Sequence, residues 1–378
     1  MNRWFSLYLD FVRLFAAGFV VYAHTNARFL YPDKLPLAEF AHSAVTVFFV
    51  LSGYVVAFVV DKRENSPSIY AASRGARILS LSVLMVFLTP VLDVIGRSTA
   101  AELYLNNVPS DFVLIRIIAS LTFLAEIWSL SIMTFSNLPY WSLNYEVWYY
   151  IIFGVYCFFK PSYKWIVISA ICLFLGPKIV LMAPCWLAGV IVYRWGVSEK
   201  LNPLGAALLW VVSLIAFWGY HHLDLMRAFS DGFVMKYLGE WAYTQLNFSR
   251  YFAADWLLAV IISANFIAAK RLGDWLPKIK IDALNWVGFV GGLTYALYIA
   301  HSPFVYLWSG VLKSMTPGLV KYLAVLTLIL LSVGVVAIVG ERLRPRMRKW
   351  FESILASQNV RRWTSRWVNQ PEFSRQSD

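Results

Sequence analysis

Asp10, Arg13 and His24 stand together in one apolar run, DFVRLFAAGFVVYAH. An imidazole accepts and returns protons near neutral pH, and a guanidinium stabilises negative charge as it develops on an oxygen. Such groups cost roughly 2.5–3.5 kcal/mol each at the centre of a membrane span, so their presence there calls for a reason. On a helix, Arg13 and His24 are eleven residues apart and share a face about 16 Å from each other. Asp10 lies one turn before Arg13, close enough to pair with it, and Ala17 keeps the same face open. One reading is a packing clasp with an interfacial histidine. The other is a polar groove with His24 at its reactive end.

Four further stretches carry candidate chemistry. FFVLSGYVVA (48–57) places Ser52 and Gly53 inside a span, where small residues admit a neighbouring helix or a ligand against the backbone. SRGARI (73–78) sets Arg74 and Arg77 one turn apart at a membrane edge, a spacing suited to phosphate oxygens or to ordinary topology signalling. YWSLNYEVWYY (140–150) opens a span with Ser142 as the expected N-cap. Its Glu146 either serves the helix start or turns inward towards Arg or His. LTYALYIAHSPF (293–304) puts Tyr298 and His301 on one helical face.

In this order the stretches resemble the acyltransferase-3 family, bacterial integral-membrane enzymes that O-acylate cell-surface glycans. The matching residues are Arg13 and His24 with ten between them, FFVLSGY, Arg74-x-x-Arg77, WSLNYE and YALYIAHSP. Glu341 and Pro345 resemble the closing motif but stand farther apart than in the family, so no role passes to Glu341. The resemblance implies an acyl-CoA donor, usually acetyl-CoA, reached from the cytoplasm, and a hydroxyl acceptor on a glycan or lipid-linked saccharide. A thioester already carries a good leaving group, so the remaining tasks are to deprotonate the hydroxyl and to stabilise an oxyanion. His24 is the first choice of base and His301 the second, with Arg13, Asp10 and Glu146 completing the expected catalytic set. Arg74 and Arg77 are expected on the CoA phosphates, and Ser52, Trp141, Ser142 and Tyr298 elsewhere on the donor. No metal is expected. The alternative is an acyl-relay or transport subunit that passes acyl groups or glycans across the membrane.

The elements that must position these residues are membrane helices. The chain has 378 residues, 60% of them hydrophobic and 14% charged, and a soluble domain of that length could not bury so much apolar surface. The expected fold is all-α, a polytopic transmembrane bundle of about ten spanning helices in an inner (cytoplasmic) membrane. The first run lacks a cleavage site and is read as a retained helix. Eleven apolar runs are present, while the basic stretches 61–77 and 270–280 and the tail all belong inside by the positive-inside rule, which requires an even number of crossings. Either 165–176 and 180–193 form one bent span, or 112–130, with Arg116 and Glu126, is re-entrant. Residues 1–340 are read as the acyltransferase-like membrane domain and 341–378 as a basic cytoplasmic tail that rests on anionic lipid or anchors topology. The net charge of +12 then reflects topology, with no nucleic-acid partner expected. Cys157, Cys172 and Cys185 read as small hydrophobes. The stretch 221–250 is expected outside, its aromatic residues stacking on sugars or forming an interfacial belt.

Overall fold

The structure, a computed structural model, describes residues 2–26, 30, 37–38, 40–276 and 285–356. It is 84% helical, and no strand occurs among the described residues, which fixes the all-α class. The helices are α1 (Arg3–Asn26), α2 (Phe40–Lys62), α3 (Pro67–Ala100), α4 (Val113–Leu121), α5 (Tyr140–Phe158), α6 (Pro161–Leu175) and α7 (Pro177–Arg194). They continue with α8 (Pro203–His222), α9 (Leu225–Phe229), α10 (Gly239–Leu246), α11 (Phe252–Trp275), α12 (Asn285–Val311) and α13 (Leu319–Leu355). Among the described residues seven helical stretches are long and apolar enough to cross a membrane, fewer than the ten expected. Lys278, Lys280 and the tail beyond 356 lie outside the described residues.

Local chemistry sets the helix starts. Ser66 caps α3 by accepting from the Ile69 N–H at 3.3 Å, and Pro67 follows where its missing N–H costs nothing. Asn202 and Pro203 do the same for α8, Asn202 Oδ1 accepting from Gly205 N–H at 2.7 Å. The run 165–193 does not form one bent helix. Gly176, at φ +79°, turns the chain so that α6 and α7 are separate.

The run 112–130 does not form a full-length helix either. α4 has nine residues, and the chain from 122 to 139 packs irregularly on protein. Backbone of that kind needs such shielding at membrane depth. Arg116 pins its entry, donating to Asp111 Oδ1 at 2.5 Å and to the Met133 carbonyl at 3.1 Å. That hydrogen bond holds the Asp111 carboxyl below its ordinary range. Lys178, fully buried at the start of α7, donates to Glu126 Oε2 at 2.8 Å, to Ser131 Oγ at 2.7 Å and to the Leu130 carbonyl. The loop is thus strapped to the bundle by a buried ion pair with its hydrogen bonds filled.

α2 and α7 approach to backbone contact. A β-carbon on Gly53 would lie 2.0 Å from the Trp186 carbonyl oxygen, and one on Gly189 1.9 Å from that of Val50. Of the two readings of FFVLSGY, Gly53 therefore serves close helix packing. α13 runs unbroken through residues 340 and 341, with Pro345 inside it. Its basic end lies beside the start of α3, the Phe351 ring against Gly75. Cys185 is buried, and Cys157 and Cys172 are half-buried.

Candidate functional site

A cleft opens between α1, α2, α3, α5 and α12. Seven expected residues line it: Arg13, Ser52, Arg74, Arg77, Ser142, Glu146 and Tyr298. They come from five helices, and aromatic and aliphatic side chains of α2, among them Phe48 and Val55, complete the wall.

Glu146 turns inward. Its Oε1 accepts from Ser52 Oγ at 2.6 Å and from Tyr150 Oη at 2.5 Å, while Trp186 Nε1 donates to Ser52 Oγ at 3.2 Å. It does not serve the helix start. Nor is Ser142 the N-cap: Pro139 holds that position, and Ser142, one turn inside, shares a 2.6 Å hydrogen bond with Tyr298 Oη across to α12. The hydroxyl is used to join two helices at the cleft wall.

The arginines divide. Arg13 pairs with Asp10 at 3.3 Å, which places Asp10 behind Arg13 and off the cleft lining. Arg74 is buried, its Nη2 committed to Glu64 at 2.5 Å and its guanidinium 5.9 Å from the Tyr150 ring centroid. Arg77 is half-buried in the cleft wall and makes no ion pair or side-chain hydrogen bond among the described residues. Two arginines that look equivalent in sequence thus differ: Arg74 is tied to Glu64 through Nη2, whereas Arg77 has no such bond among the described residues.

One turn beyond Tyr298, His301 meets His24. His24 Nδ1 and His301 Nε2 are 2.7 Å apart, with the rings 13° from parallel. His301 Nδ1 also lies 2.8 Å from the Leu297 carbonyl oxygen. A carbonyl only accepts, so Nδ1 of His301 carries hydrogen and, in the neutral ring, Nε2 is the acceptor. His24 Nδ1 must then donate to it, which leaves Nε2 of His24 as that ring's proton-accepting nitrogen. The loop 122–139 buttresses this region: Asn137 donates to the Ile299 carbonyl at 2.8 Å, and Ser302 to that of Ser136 at 2.6 Å.

Trp141 is not brought to the cleft; it stacks on Phe248 at 4.5 Å and meets Tyr145 edge-on. Sequence reasoning passed over Tyr150 and Tyr295, both in the lining and both inside stretches already singled out. The i, i+4 spacing of Glu146 and Tyr150 was the available signal. Glu64, ten residues before Arg74, gave none. A buried set on the other side of α2 was also missed: Asp255 accepts from Thr46 Oγ1 at 2.8 Å and lies 2.9 Å from His42 Nε2.

A family model described as an acyltransferase domain, of the acyltransferase-3 type, matches residues 6–340. No curated protein and no solved structure matches the chain.

Proposed function

Because the chain belongs to the acyltransferase-3 family, we propose that it is a membrane O-acyltransferase that moves an acyl group, acetyl in the first instance, from acyl-CoA to a saccharide hydroxyl. The observation that carries this reading is that α1 and α12, which supply Arg13 and Tyr298 to the arginine-lined cleft, also bring His24 and His301 together, His301 one helical turn beyond Tyr298.

The chemistry needs few groups. His24 Nε2 takes the hydroxyl proton as the oxygen attacks the thioester carbonyl. The C–O bond forms, the C–S bond breaks, and the thiolate leaves with the proton that His24 returns. His301 holds His24 in the required tautomer, and its own Nδ1–H is fixed by Leu297. A positioned base of this kind contributes about 10²–10⁴-fold. Arg77 and Arg13 supply positive charge along the donor's path, Asp10 steadies Arg13, and Glu146 holds the α2–α5 wall through Ser52 and Tyr150.

In the topology proposed, the start of α3 and the basic end of α13 face the cytoplasm of a bacterial inner membrane. His24 then lies towards the opposite face, where an exported or lipid-linked saccharide is met. Phe229, Phe233, Tyr237 and Trp241, all exposed, offer flat apolar faces to a sugar on that side.

The test is direct. Full-length protein in liposomes, given labelled acetyl-CoA and a lipid or glycan extract, should transfer label to an ester that mild base releases. Label that crosses the membrane without esterification would favour the relay alternative. No turnover with any acyl-CoA would remove the enzyme reading.

A further inference from the structure

A second cleft adjoins the first between α1, α3, α12 and α13. The two share Arg13, Arg77 and Tyr295 as a common wall. The second is lined in addition by Ser80, Glu341 and Arg344. It thus presents three guanidiniums against one carboxylate, and that carboxylate is already paired with Arg344 at 3.4 Å.

Three facts say what such a cleft would hold. Arg77 is half-buried and makes no salt bridge among the described residues, and the carboxylate whose charge it feels, Asp10, is already paired with Arg13, so its forked donors can take a further anion. Arg74, the other arginine of its motif, has its Nη2 committed to Glu64 and does not line this cleft. Arg344 is on a helix held against α3, through Phe351 at Gly75 and Gly340 against Leu81, so its backbone is anchored at the cleft while its side chain is exposed at the rim. Forked guanidiniums converging from separate helices suit phosphate oxygens, which accept two bonds from one arginine.

We propose that Arg344, with Arg77 and Arg13, holds the phosphates of the donor's nucleotide end in this second cleft. The acyl-bearing arm would pass the shared Arg13–Arg77–Tyr295 wall towards His24. Arg344 is then a donor-binding residue contributed by the basic end of α13. The inference rests on the acyl-CoA reading, and adenosine 3′,5′-bisphosphate separates the two because its binding needs no turnover.

Binding of adenosine 3′,5′-bisphosphate to the full chain in detergent is to be measured by calorimetry, alongside acetyl transfer from acetyl-CoA and from acetyl-pantetheine. Arg344→Ala should weaken nucleotide binding at least about tenfold and raise KM for acetyl-CoA by a similar factor, with little change for acetyl-pantetheine. Arg344→Lys should recover part of the loss, and Glu341→Gln should tighten binding by removing the competing carboxylate. Arg346→Ala, in the same basic stretch but outside the lining, is the control and should change neither. Unchanged nucleotide binding in Arg344→Ala, or weaker binding in Glu341→Gln, overturns the inference. So does an equal loss in Arg346→Ala, or the absence of any binding by the unaltered protein. Arg344-dependent binding without acyl transfer would instead sustain the inference and sink the transferase reading.

Discussion

His24 Nδ1 and His301 Nε2 meet at 2.7 Å, joining the C-terminal end of α1 to the middle of α12 across 277 residues of sequence. Because the Leu297 carbonyl fixes the far proton of His301, the contact is directional, with His24 donating and its Nε2 left to accept. The two histidines, ranked first and second as candidates for the base in sequence, therefore take different tasks in the proposed mechanism: His24 reacts and His301 orients it.

His24→Ala should lower acyl transfer by about 10²–10⁴-fold while donor binding survives. His301→Ala should lose much of the activity too, because His24 is freed to change tautomer. His301→Gln, whose side-chain oxygen can still accept from His24, should keep more of it. Single-turnover rates and donor affinity measured on all three give the decision. Equal loss in His301→Ala and His301→Gln would count against the orienting role, and near-normal turnover in His24→Ala would make His301 the base.

The two arginines of SRGARI should separate experimentally. Arg74→Ala strands Glu64, 7% exposed in its side chain, and should destabilise the protein by about 3–5 kcal/mol. Arg74→Ala combined with Glu64→Gln should regain part of that. Arg77→Ala should leave thermal stability almost unchanged and weaken acyl-CoA binding, with Arg77→Lys recovering it only in part because the fork is lost. Thermal unfolding and donor titration on the same preparations read both effects; a stability loss in Arg77→Ala matching that of Arg74→Ala would undo the distinction.

Gly53→Ala should be poorly tolerated. Its new β-carbon would meet a backbone carbonyl that cannot swing aside, so α2 and α7 must separate, at a cost at or above the usual 1–3 kcal/mol of overpacking. Separation would also pull Ser52 from Trp186, loosening the hydroxyl that Glu146 accepts from. Gly18→Ala is the contrast. Nothing lies within 4 Å of that position, so its helix should gain up to about 1 kcal/mol. Melting temperatures in one detergent compare them, and equal melting of the two variants would discount the close approach.

Much of this site was legible because charge inside an apolar run is rare, and each such residue had to face protein. Asp10 with Arg13, and Arg13 with His24, follow from helical geometry within one segment. Glu146 was legible as a group but not in direction, since nothing local distinguishes a carboxylate serving a helix start from one turned across to Ser52. The Glu64–Arg74 pair closes over a turn between helices, and Asp255 meets His42 across 213 residues; neither has any periodic signature. The apolar run 112–130 left two readings open for a related reason, and the short α4 with its irregular continuation agrees with the one in which it does not cross. Hydropathy registers the burial of such a segment but not whether it is buried in lipid or in protein, and the partner that decides it, Lys178, is 52 residues downstream of Glu126.

That partner supports the last prediction. Lys178 and Glu126 hold the start of the 122–139 segment, whose other end, through Ser136 and Asn137, is bonded to α12 beside His301. Lys178→Met leaves Glu126 buried without its cation and should cost about 3–5 kcal/mol, whereas Lys178→Met with Glu126→Gln replaces a charged pair by a nearly neutral one and should recover most of it. If the strap also steadies α12, the single variant should lose transfer activity at temperatures where it remains folded, and the double variant should regain activity in step with stability. A double-mutant cycle on melting and on transfer rate tests both halves. Additive effects on melting would mean that the ion pair carries no coupling. Lost stability with full activity would confine the strap to holding the loop in place.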